Sequence, residues 1–527
     1  MIVARLFAVF VAAAATLAGC AIAPHPPADV ARSPSYAMAA AAATSLAREV
    51  APVAALHAGK SGFQVLERGE EALLWRGALA DRAEATIDAQ YYIWNEDNVG
   101  TIAAERLLRA AERGVRVRVL VDDLSIATDP GFLAMLDAHP RVEIRMYNPT
   151  GFVGRDLLPK ALAVIGDFYR LNRRMHNKAL VVDGALAVIG GRNVADEYYD
   201  MHLEFNFRDR DVLVAGPIVA DIEASFDRYW NSAWVVPVAA LARSAFTDAD
   251  RDAYYRRLRD YVADPAHFPP RFAAALAALR TRMPGVAASL CWGRARLVYD
   301  IPGKNEDPDR LDAFGTMGWE IAQAASGATR EILAETPYLA VMPGTLDVVR
   351  GLRERGVAVR ILTNSLASTD NLFAFSRYAE QRETLLRLGV RLHELMPQPA
   401  FHGEIVERLP RMATPARLAL HAKTMVIDRR IVFIGSFNMD PRSTHLNTEL
   451  GVLIDSPELA AELAAQLERD MAPENSYELS LEPGGRGIAW TWVRDGRPAA
   501  ARADPGAEPD KLFQVRLYRL LPLDKLI

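Results

Sequence analysis

The chain has 527 residues, a formal net charge of -5, 51% hydrophobic and 24% charged residues, and two cysteines. This length predicts two to four domains, and the composition is that of a folded protein rather than a disordered one. The slightly acidic balance argues against a dedicated nucleic-acid binder, and two cysteines cannot form a disulfide framework or a cysteine-rich zinc site.

A lipoprotein signal peptide is predicted at residues 1–20. Arg5 precedes an apolar run from Leu6 to Ala18, which is shorter than the roughly 20 residues of a membrane span but suits a signal peptide. The run ends at Cys20 in Leu-Ala-Gly-Cys, which resembles the lipobox of bacterial lipoproteins. The resemblance implies a lipidated Cys20 on the periplasmic side, with the outer membrane favoured over the inner one because Ala21, not Asp, follows. The alternative is an ordinary secretory signal with an incidental cysteine.

The body of the chain is predicted to consist of two copies of one α/β unit, at residues 60–240 and 289–475. A strand around Ile87, a helix and a second strand recur in the same order around Ile332, which is 245 positions further on. Strand, helix and strand at this spacing predict βαβ units and a parallel or mixed sheet flanked by helices.

Three further segments complete the predicted organisation. Residues 21–59 contain several prolines and then many alanines, which predicts a tether followed by a helix. Residues 241–288 have helical periodicity and form a predicted connector. Residues 476–527 form a C-terminal extension whose end, from Phe513, is predicted to be a packed terminal element.

The two halves carry the same His-x-Lys-x4-Asp motif. The first copy consists of His176, Lys178 and Asp183. The second copy consists of His421, Lys423 and Asp428. The two histidines are again 245 positions apart, and six residues after each copy comes a Gly-x-x-Asn segment, ending at Asn193 or Asn438. A histidine and a lysine two apart in a strand point to one face, and glycine allows a close approach of backbone to ligand. Repetition at the internal offset favours a functional site over a buried structural pair.

The double motif resembles that of the phospholipase D superfamily, in which two such motifs meet at one active site across a pseudo-two-fold axis. Several stretches are similar to bacterial cardiolipin synthases, the C type in particular, and they are Asp88–Trp94, Arg170–Lys178, Leu362–Ala367 and Ile434–Ser443. The resemblance implies an α/β fold of two pseudo-symmetric phospholipase D-like repeats. Each would be a mixed β-sheet flanked by helices, and the two would share one active site at their interface.

The resemblance also implies roles for the motif residues. His176 would be the nucleophile that forms a phosphohistidine and His421 the general acid and base, although the near symmetry of the copies leaves the two roles interchangeable on sequence grounds. The predicted phosphate ligands are Lys178, Lys423, Asn193, Asn438 and Ser436. No metal or cofactor is expected for this chemistry.

Carboxylates are needed to fix the tautomer of each histidine. Asp183 and Asp428 are counted with the catalytic motif, but each follows an apolar run at a strand end, which favours a structural role. Glu449 is the predicted orienting carboxylate of the second copy. For His176 in the first copy, Asp209 is preferred because it precedes Pro217 as Glu449 precedes Pro457. Glu204 competes with it, because it follows His176 by the 28 positions that separate Glu449 from His421.

The expected reaction is transfer of a phosphatidyl group from phosphatidylglycerol to phosphatidylglycerol or phosphatidylethanolamine, which makes cardiolipin. The alternatives are hydrolysis of phospholipids to phosphatidic acid and a non-enzymatic lipid-binding role. The expected partners are anionic phospholipids and, through Cys20, a membrane surface, without nucleic acid. Arg170, Arg173 and Arg174 either hold anionic head groups or form a solvated basic turn, and Leu157–Phe168 either admits acyl chains or packs in the core.

Overall fold

The computed structural model describes residues 30–38, 43–123, 130–149, 172–241, 246–268, 270–304, 316–403, 416–485 and 487–520. The predicted signal peptide with Cys20, most of the tether, Arg170 and Leu157–Phe168 lie outside these ranges. Across the ranges that are described, none of the helices combines the length and the apolar character needed to cross a bilayer.

Both halves are rich in strands. Those of the first half are β1 (Ser61–Leu66), β2 (Thr86–Tyr91), β3 (Arg116–Asp122), β4 (Val142–Tyr147), β5 (Ala179–Val182), β6 (Leu186–Gly190), β7 (Phe205–Arg208), β8 (Asp211–Ala215) and β9 (Val235–Pro237). Those of the second half are β10 (Cys291–Tyr299), β11 (Glu331–Glu335), β12 (Ala358–Asn364), β13 (Arg391–Leu395), β14 (Arg417–Leu420), β15 (Thr424–Ile427), β16 (Ile431–Gly435), β17 (Leu450–Asp455), β18 (Ser476–Leu481), β19 (Ile488–Arg494) and β20 (Arg497–Ala501).

Helices connect and cover the strands. They are α1 (Ser45–Leu56), α2 (Gly69–Arg82), α3 (Asn98–Glu112), α4 (Pro130–Asp137), α5 (Ile218–Trp230), α6 (Val238–Leu241), α7 (Asp248–Ala263), α8 (Pro270–Arg282), α9 (Val286–Ser289), α10 (Thr316–Ser326), α11 (Pro343–Glu354), α12 (Leu372–Arg387), α13 (Pro441–His445), α14 (Pro457–Asp470) and α15 (Pro509–Tyr518). Within the predicted connector, α7 packs against α3 and α8 against α2, so these helices enlarge the first repeat.

The two half-sheets have the same strand order. In the first it is β9-β4-β3-β2-β5-β6-β8-β1, and in the second it is β18-β13-β12-β11-β15-β16-β17-β10. The strands β2, β3 and β4 are parallel, as are β11, β12 and β13, whereas the pairings on either side of them are antiparallel. The expected fold of two mixed-sheet repeats is therefore confirmed.

The repeats are joined at the sheet edge and through a shared core. The strands β1 and β10 pair antiparallel, with Phe63 opposite Cys291, and this pairing merges both halves into one eighteen-stranded sheet. One apolar cluster contains Val181 and Ile189 from the first repeat and Val426 and Ile434 from the second. Because these residues lie on β5, β6, β15 and β16, the strands that follow the two motif histidines pack close to one another.

Candidate active site

Two contacts between the repeats place each motif histidine next to a carboxylate of the other repeat. The strand β7 pairs in parallel with β14, with Arg208 opposite Leu420, so the next residues, Asp209 and His421, are neighbours. The backbone N–H of His421 donates to the carbonyl of Arg208 at 2.8 Å. The related contact is a parallel bridge between Met175 and Thr448, which immediately precede His176 and Glu449. There the backbone N–H of His176 donates to the carbonyl of Thr448 at 2.9 Å.

The carboxylates bind the histidines across the repeats. Nδ1 of His176 lies 2.8 Å from Oε2 of Glu449, and Nδ1 of His421 lies 2.6 Å from Oδ2 of Asp209. The expected pairing of Asp209 with His176 is therefore wrong, because the parallel pairing of β7 with β14 joins the two repeats. Glu204 is exposed at the start of this strand pair, where its carbonyl accepts from the N–H of Arg417.

Both histidines line one cavity of about 440 Å³. Since the carboxylates occupy both Nδ1 atoms, Nε2 is the nitrogen of each ring that remains for reaction. Tyr92 packs edge-on against His176 and Tyr198 against His421, each with ring centroids 5.1 Å apart, which limits rotation of the imidazoles. Over the described part of the chain, no three His, Cys, Asp or Glu side chains converge so as to hold a metal ion.

The two lysines are buried beside their histidines. Nζ of Lys178 donates to the carbonyl of His176 at 2.6 Å, and Nζ of Lys423 donates to that of His421. Burial lowers the pKa of Lys178 well below its usual range and that of Lys423 to about 8. A bound phosphate would offset this desolvation, so the lysines suit an anionic ligand.

The two histidine–carboxylate pairs differ in their electrostatics. Burial and the neighbouring lysines lower the pKa of His176 well below its usual value. Burial and Lys423 also lower the pKa of His421, to about 4, although Asp209 partly opposes them. Burial disfavours the charge on Asp209, but His421 and Lys423 outweigh it and lower the pKa of this carboxyl. For Glu449, burial prevails and raises the pKa to about 7.

The predicted asparagine ligands line the cavity with buried polar atoms. Oδ1 of Asn193 accepts from the N–H of Ile93 at 3.2 Å, while its buried Nδ2 finds no partner among the described residues. Oδ1 of Asn438 is likewise buried without a partner among those residues. The unpartnered amide donor of Asn193 is the kind of group that a phosphate oxygen requires, whereas the unpartnered atom of Asn438 is an acceptor.

Ser436 does not serve as the expected phosphate ligand. Its Oγ donates to Oε2 of Glu449 at 2.5 Å and accepts from the N–H of Leu450 at 3.0 Å. In the first repeat the same position is Gly191, where a Cβ atom would lie 2.1 Å from Oδ1 of Asp209. In the second repeat, the hydroxyl of Ser436 therefore hydrogen-bonds Glu449. In the first repeat, the absence of a side chain at Gly191 leaves room for Asp209.

Asp183 and Asp428 lie away from the histidines, which corrects their inclusion among catalytic residues. Each is separated from its lysine by a four-residue strand, about 13 Å of chain. The Asp183 carboxylate accepts from the backbone N–H groups of residues 84–86, and that of Asp428 from those of residues 329–331. The two aspartates therefore fix the segments that lead into β2 and β11.

Two buried cations that sequence reasoning missed hold the carboxylates in place. Nη2 of Arg192 donates to the carbonyl of Asp209 at 2.6 Å and to that of Glu67 at 2.7 Å. Nζ of Lys304 donates to Oδ2 of Asp300 at 2.8 Å, and the same oxygen accepts from the N–H of Glu449 at 3.2 Å. The motif spacing gives no signal for either role, since Arg192 reaches Glu67 over 125 residues and Lys304 also donates to the carbonyl of Ser443 over 139 residues.

Arg173 and Arg174, the two described arginines of the basic run before His176, have a structural role. The side chain of Arg174 is fully buried, and it donates to Oδ1 of Asp122 at 3.1 Å and to the carbonyl of Asn148 at 2.9 Å. Arg173 is also buried. The cation that does line the cavity is Arg442, which donates to Oδ1 of Asn172 at 3.0 Å.

Comparisons with known proteins identify the family of the chain. The model of the family described as "Cardiolipin synthase, PLD-like domain" matches residues 78–230 and 321–471. Cardiolipin synthase C of Escherichia coli is 36% identical over 501 residues, which cover 92% of this chain and 99% of that protein. A Cardiolipin synthase of Staphylococcus aureus is 25% identical over 78% of this chain and 67% of its own length.

Among solved structures, phosphatidylserine synthase of Haemophilus influenzae is similar with a TM-score of 0.54 and 12% identity, over 92% of this chain and all of that one. This likeness supports the fold. The family match covers both motif-bearing repeats, and the relative of 36% identity extends over nearly the whole chain. The chain therefore belongs to the phospholipase D-like cardiolipin synthase family and is an enzyme of that family.

Proposed function

We propose that this enzyme is a phosphatidyltransferase that makes cardiolipin from phosphatidylglycerol and a second phospholipid, either phosphatidylglycerol or phosphatidylethanolamine. The observation that carries the proposal is that two carboxylate-bound histidines line one cavity, each with a buried lysine bound to its own backbone carbonyl. A phosphodiester repels nucleophiles until its charge is neutralised, and the lysines and Asn193 supply that neutralisation.

In the proposed first step, Nε2 of His176 attacks phosphorus. A nitrogen–phosphorus bond forms, and the bond to the glycerol oxygen breaks as His421 donates its Nε2 proton to that oxygen. His421 takes up this proton when the anionic phosphate of the substrate binds beside it, because the added negative charge opposes the burial and the Lys423 charge that lower its pKa. In the second step, His421 takes the proton of the incoming lipid hydroxyl, whose oxygen attacks phosphorus. The nitrogen–phosphorus bond then breaks, and both histidines return to their initial states.

The electrostatic difference between the two pairs supports this assignment of roles. Asp209 remains ionised and opposes the fall in the pKa of His421. His421 is therefore the better proton carrier, because an adjacent carboxylate stabilises an imidazolium. Burial and both lysines keep His176 neutral, as a nucleophile must be.

Product analysis tests the reaction. Incubation with phosphatidylglycerol, alone and with phosphatidylethanolamine, should give cardiolipin on thin-layer plates. Cardiolipin absent under both conditions would contradict the proposal, and phosphatidic acid in its place would favour hydrolysis. His176→Ala and His421→Ala should each abolish turnover.

A substrate with a p-nitrophenol leaving group separates the two histidines, because this group departs without a proton. His421→Ala should release about one equivalent of p-nitrophenol in a burst and retain a phosphorylated histidine. His176→Ala should give neither signal. A burst in His176→Ala instead would reverse the assigned roles.

We further propose that the enzyme is anchored to a membrane through lipidated Cys20 and faces the periplasm. We favour the outer membrane over the inner membrane as the site of the anchor. The motif at residues 17–20 supports this placement. Metabolic labelling with a radioactive fatty acid should mark the wild type and not Cys20→Ser. Equal labelling of both proteins would rule out the anchor.

A further inference from the structure

Residues 32–37, which belong to the predicted tether, are bound to the first repeat, and we call them the strap. The carbonyl of Ser33 accepts from Nη2 of Arg145 at 2.6 Å, and that of Ser35 accepts from Nη1 of Arg118 at 2.8 Å. Both arginine side chains are fully buried. Because an unmade hydrogen bond is costly for a buried charge, these two contacts hold the strap against the repeat.

A second set of contacts joins the strap to the C-terminal end of helix α5. The N–H of Ser35 donates to Oδ1 of Asn231 at 3.0 Å, and Nδ2 of Asn231 donates to the carbonyl of Ser35 at 2.9 Å. The N–H of Ala37 donates to Oδ2 of Asp227 at 2.8 Å. The strap is therefore paired through both its N–H groups and its carbonyls, which fixes its position on the repeat.

The strap begins at the end of the sheet where His176 lies, which we call the catalytic end. Nε of Arg32 donates to the carbonyl of Val235 at 2.6 Å, and Val235 lies opposite the last residue of β4. The next residue after β4 is Asn148, whose Nδ2 donates to the carbonyl of Arg173 at 2.9 Å. Arg173 is three positions before His176, so the first residue of the strap is close to the catalytic segment.

The strap finishes at the opposite end of the sheet. The carbonyl of Tyr36 accepts at 2.6 Å from Nη1 of Arg116, the first residue of β3. Further along the chain, the N–H of Ser45 at the start of α1 donates to Oε2 of Glu84 at 3.0 Å, two positions before β2. The strands β2 and β3 both begin at this opposite end, so the strap enters the repeat at the catalytic end and runs away from it.

We propose that the strap turns the catalytic end of the enzyme towards the bilayer in which Cys20 is anchored. The proposal rests on the proposed function, because Cys20 must carry lipid, and it adds the orientation of the enzyme. Cys20 precedes Arg32 by 12 positions, which span about 20 Å as a flexible chain. Without the strap contacts, the anchor would be joined to the body at Ser45, 25 positions from Cys20 and at the opposite end.

Energy transfer from the protein to a fluorescent lipid head group measures this orientation on vesicles that hold the lipidated full chain. Helix α3 provides two exposed reporter positions, Glu96 at the catalytic end and Glu112 at the opposite end. The 15 residues of the helix separate them by about 22 Å. With Cys291→Ser, either Glu96→Cys or Glu112→Cys carries the donor dye. Transfer should be stronger from position 96, and equal or weaker transfer from that position would overturn the proposal.

The double variant S35P/A37P tests whether the strap causes the orientation. Proline has no N–H, so the contacts with Asn231 and Asp227 are lost while the body of the enzyme is unchanged. The difference in transfer between the two reporters should then vanish or reverse. The matched control Ala31→Pro adds a proline at an exposed position just before the strap and should keep the difference. A difference that persists in S35P/A37P would contradict the role of the strap.

Activity provides the second readout. S35P/A37P should lower turnover of phosphatidylglycerol in the anchoring vesicles by about tenfold, because the cavity no longer faces its substrate. Turnover of a monomeric short-chain phosphatidylglycerol should be unchanged, and equal losses on both substrates would overturn the proposal.

The energy-transfer measurement separates failure of the orientation from failure of the proposed function. If fatty-acid labelling shows no lipid on Cys20, a histidine tag in place of residues 1–20, bound to a nickel-chelating lipid, supplies the attachment at the same point of the chain. If the parent turns over neither substrate, the proposed transfer reaction fails. In both cases the comparison of the two reporters still decides which end faces the bilayer.

Discussion

At the level of single residues, the site forms the same contact between a carboxylate and Nδ1 of a histidine with two different pairs of side chains. The first repeat supplies the shorter carboxylate, Asp209, which fits against Gly191, and the second supplies Glu449, which accepts from Ser436. Both carboxylates bind Nδ1 of a histidine of the other repeat. His421 and Lys423 keep Asp209 ionised, whereas burial raises the pKa of Glu449 despite its hydrogen bond with Ser436, so the symmetry of the fold does not extend to the protonation states.

These pKa shifts predict the pH dependence of kcat/KM. The pKa of Lys423 is lowered to about 8, so its positive charge is present below that pH and lost above it. The pKa of Glu449 is raised to about 7, so the pair that it forms with His176 takes up a proton below that pH. The protonated pair no longer holds His176 in the form that attacks phosphorus. We expect kcat/KM to be highest between these values and to fall about tenfold per pH unit on either side.

Lys423→Arg is the check on this assignment. Arginine stays charged at alkaline pH, so the alkaline limb should disappear while the acid limb persists, even though a planar guanidinium lowers the overall rate. An alkaline limb that is unchanged in this variant would mean that another group causes it.

Gly191 predicts a steric requirement that the equivalent serine does not share. In Gly191→Ser the new Cβ would meet Oδ1 of Asp209, so the carboxylate must move away from His421. A displacement of the carboxylate by roughly 1 Å should lower kcat by about a hundredfold. The matched control Ser436→Gly loses one hydrogen bond to Glu449 and should cost about tenfold or less. Steady-state assays of both variants measure the difference, and equal losses would contradict it.

At the scale of elements, the strands β5 and β15 have a reactive end and a structural end. The histidine and lysine precede each strand, whereas the aspartate follows it and holds the chain before a neighbouring strand. Asp183 has φ of 53° and Asp428 has φ of 54°, the left-handed region that Asp and Asn tolerate better than most residues. The motif therefore combines catalytic residues with a turn that fixes the register of the sheet.

Asp183→Ala is predicted to affect stability rather than chemistry. It removes the acceptor of three backbone amides, of which that of Thr86 is buried, and places alanine at a left-handed position, which should lower the free energy of unfolding by about 2–4 kcal/mol. At a temperature where the variant is folded, kcat should stay within about twofold, since Asp183 lies about 16 Å of extended chain from Lys178. Chemical denaturation and steady-state kinetics give both values.

Asp183→Asn is the matched variant, because asparagine tolerates the left-handed conformation and keeps one acceptor oxygen. It should lose less stability than Asp183→Ala. A large loss of kcat at unchanged stability in either variant would return Asp183 to the catalytic residues.

At the scale of the whole molecule, neither repeat contains a complete site. Each histidine depends on a carboxylate of the other repeat, and contacts between the repeats fix the distance between them. One such contact is a buried ion pair in which Arg208 binds Asp470 at 3.0 Å and also binds Glu67. The carbonyl of Arg208 in turn accepts from the N–H of His421, so the ion pair connects the packing of the repeats to the catalytic geometry.

Arg208→Ala should therefore destabilise the protein strongly. It leaves the fully buried carboxylate of Asp470 without its nearest cation, which costs about 3–5 kcal/mol. The control Arg391→Ala breaks an exposed pair with Glu478 and should change the free energy of unfolding by less than about 1 kcal/mol. Urea denaturation compares the two, and similar changes would mean that the buried pair contributes little.

The repeated α/β fold and the residues of the two motifs could be predicted without coordinates, because strand periodicity, helix position and motif spacing are local properties that recur along one chain. The sequence also identified Asp209 and Glu449 as carboxylates of the site. Which histidine each carboxylate binds could not be predicted, since that depends on the pairing of β7 with β14 across the repeats. The contact of Arg192 with Glu67 likewise joins segments 125 residues apart, and motif spacing carries no information about it. Ser436 meets Glu449 because β16 pairs with β17.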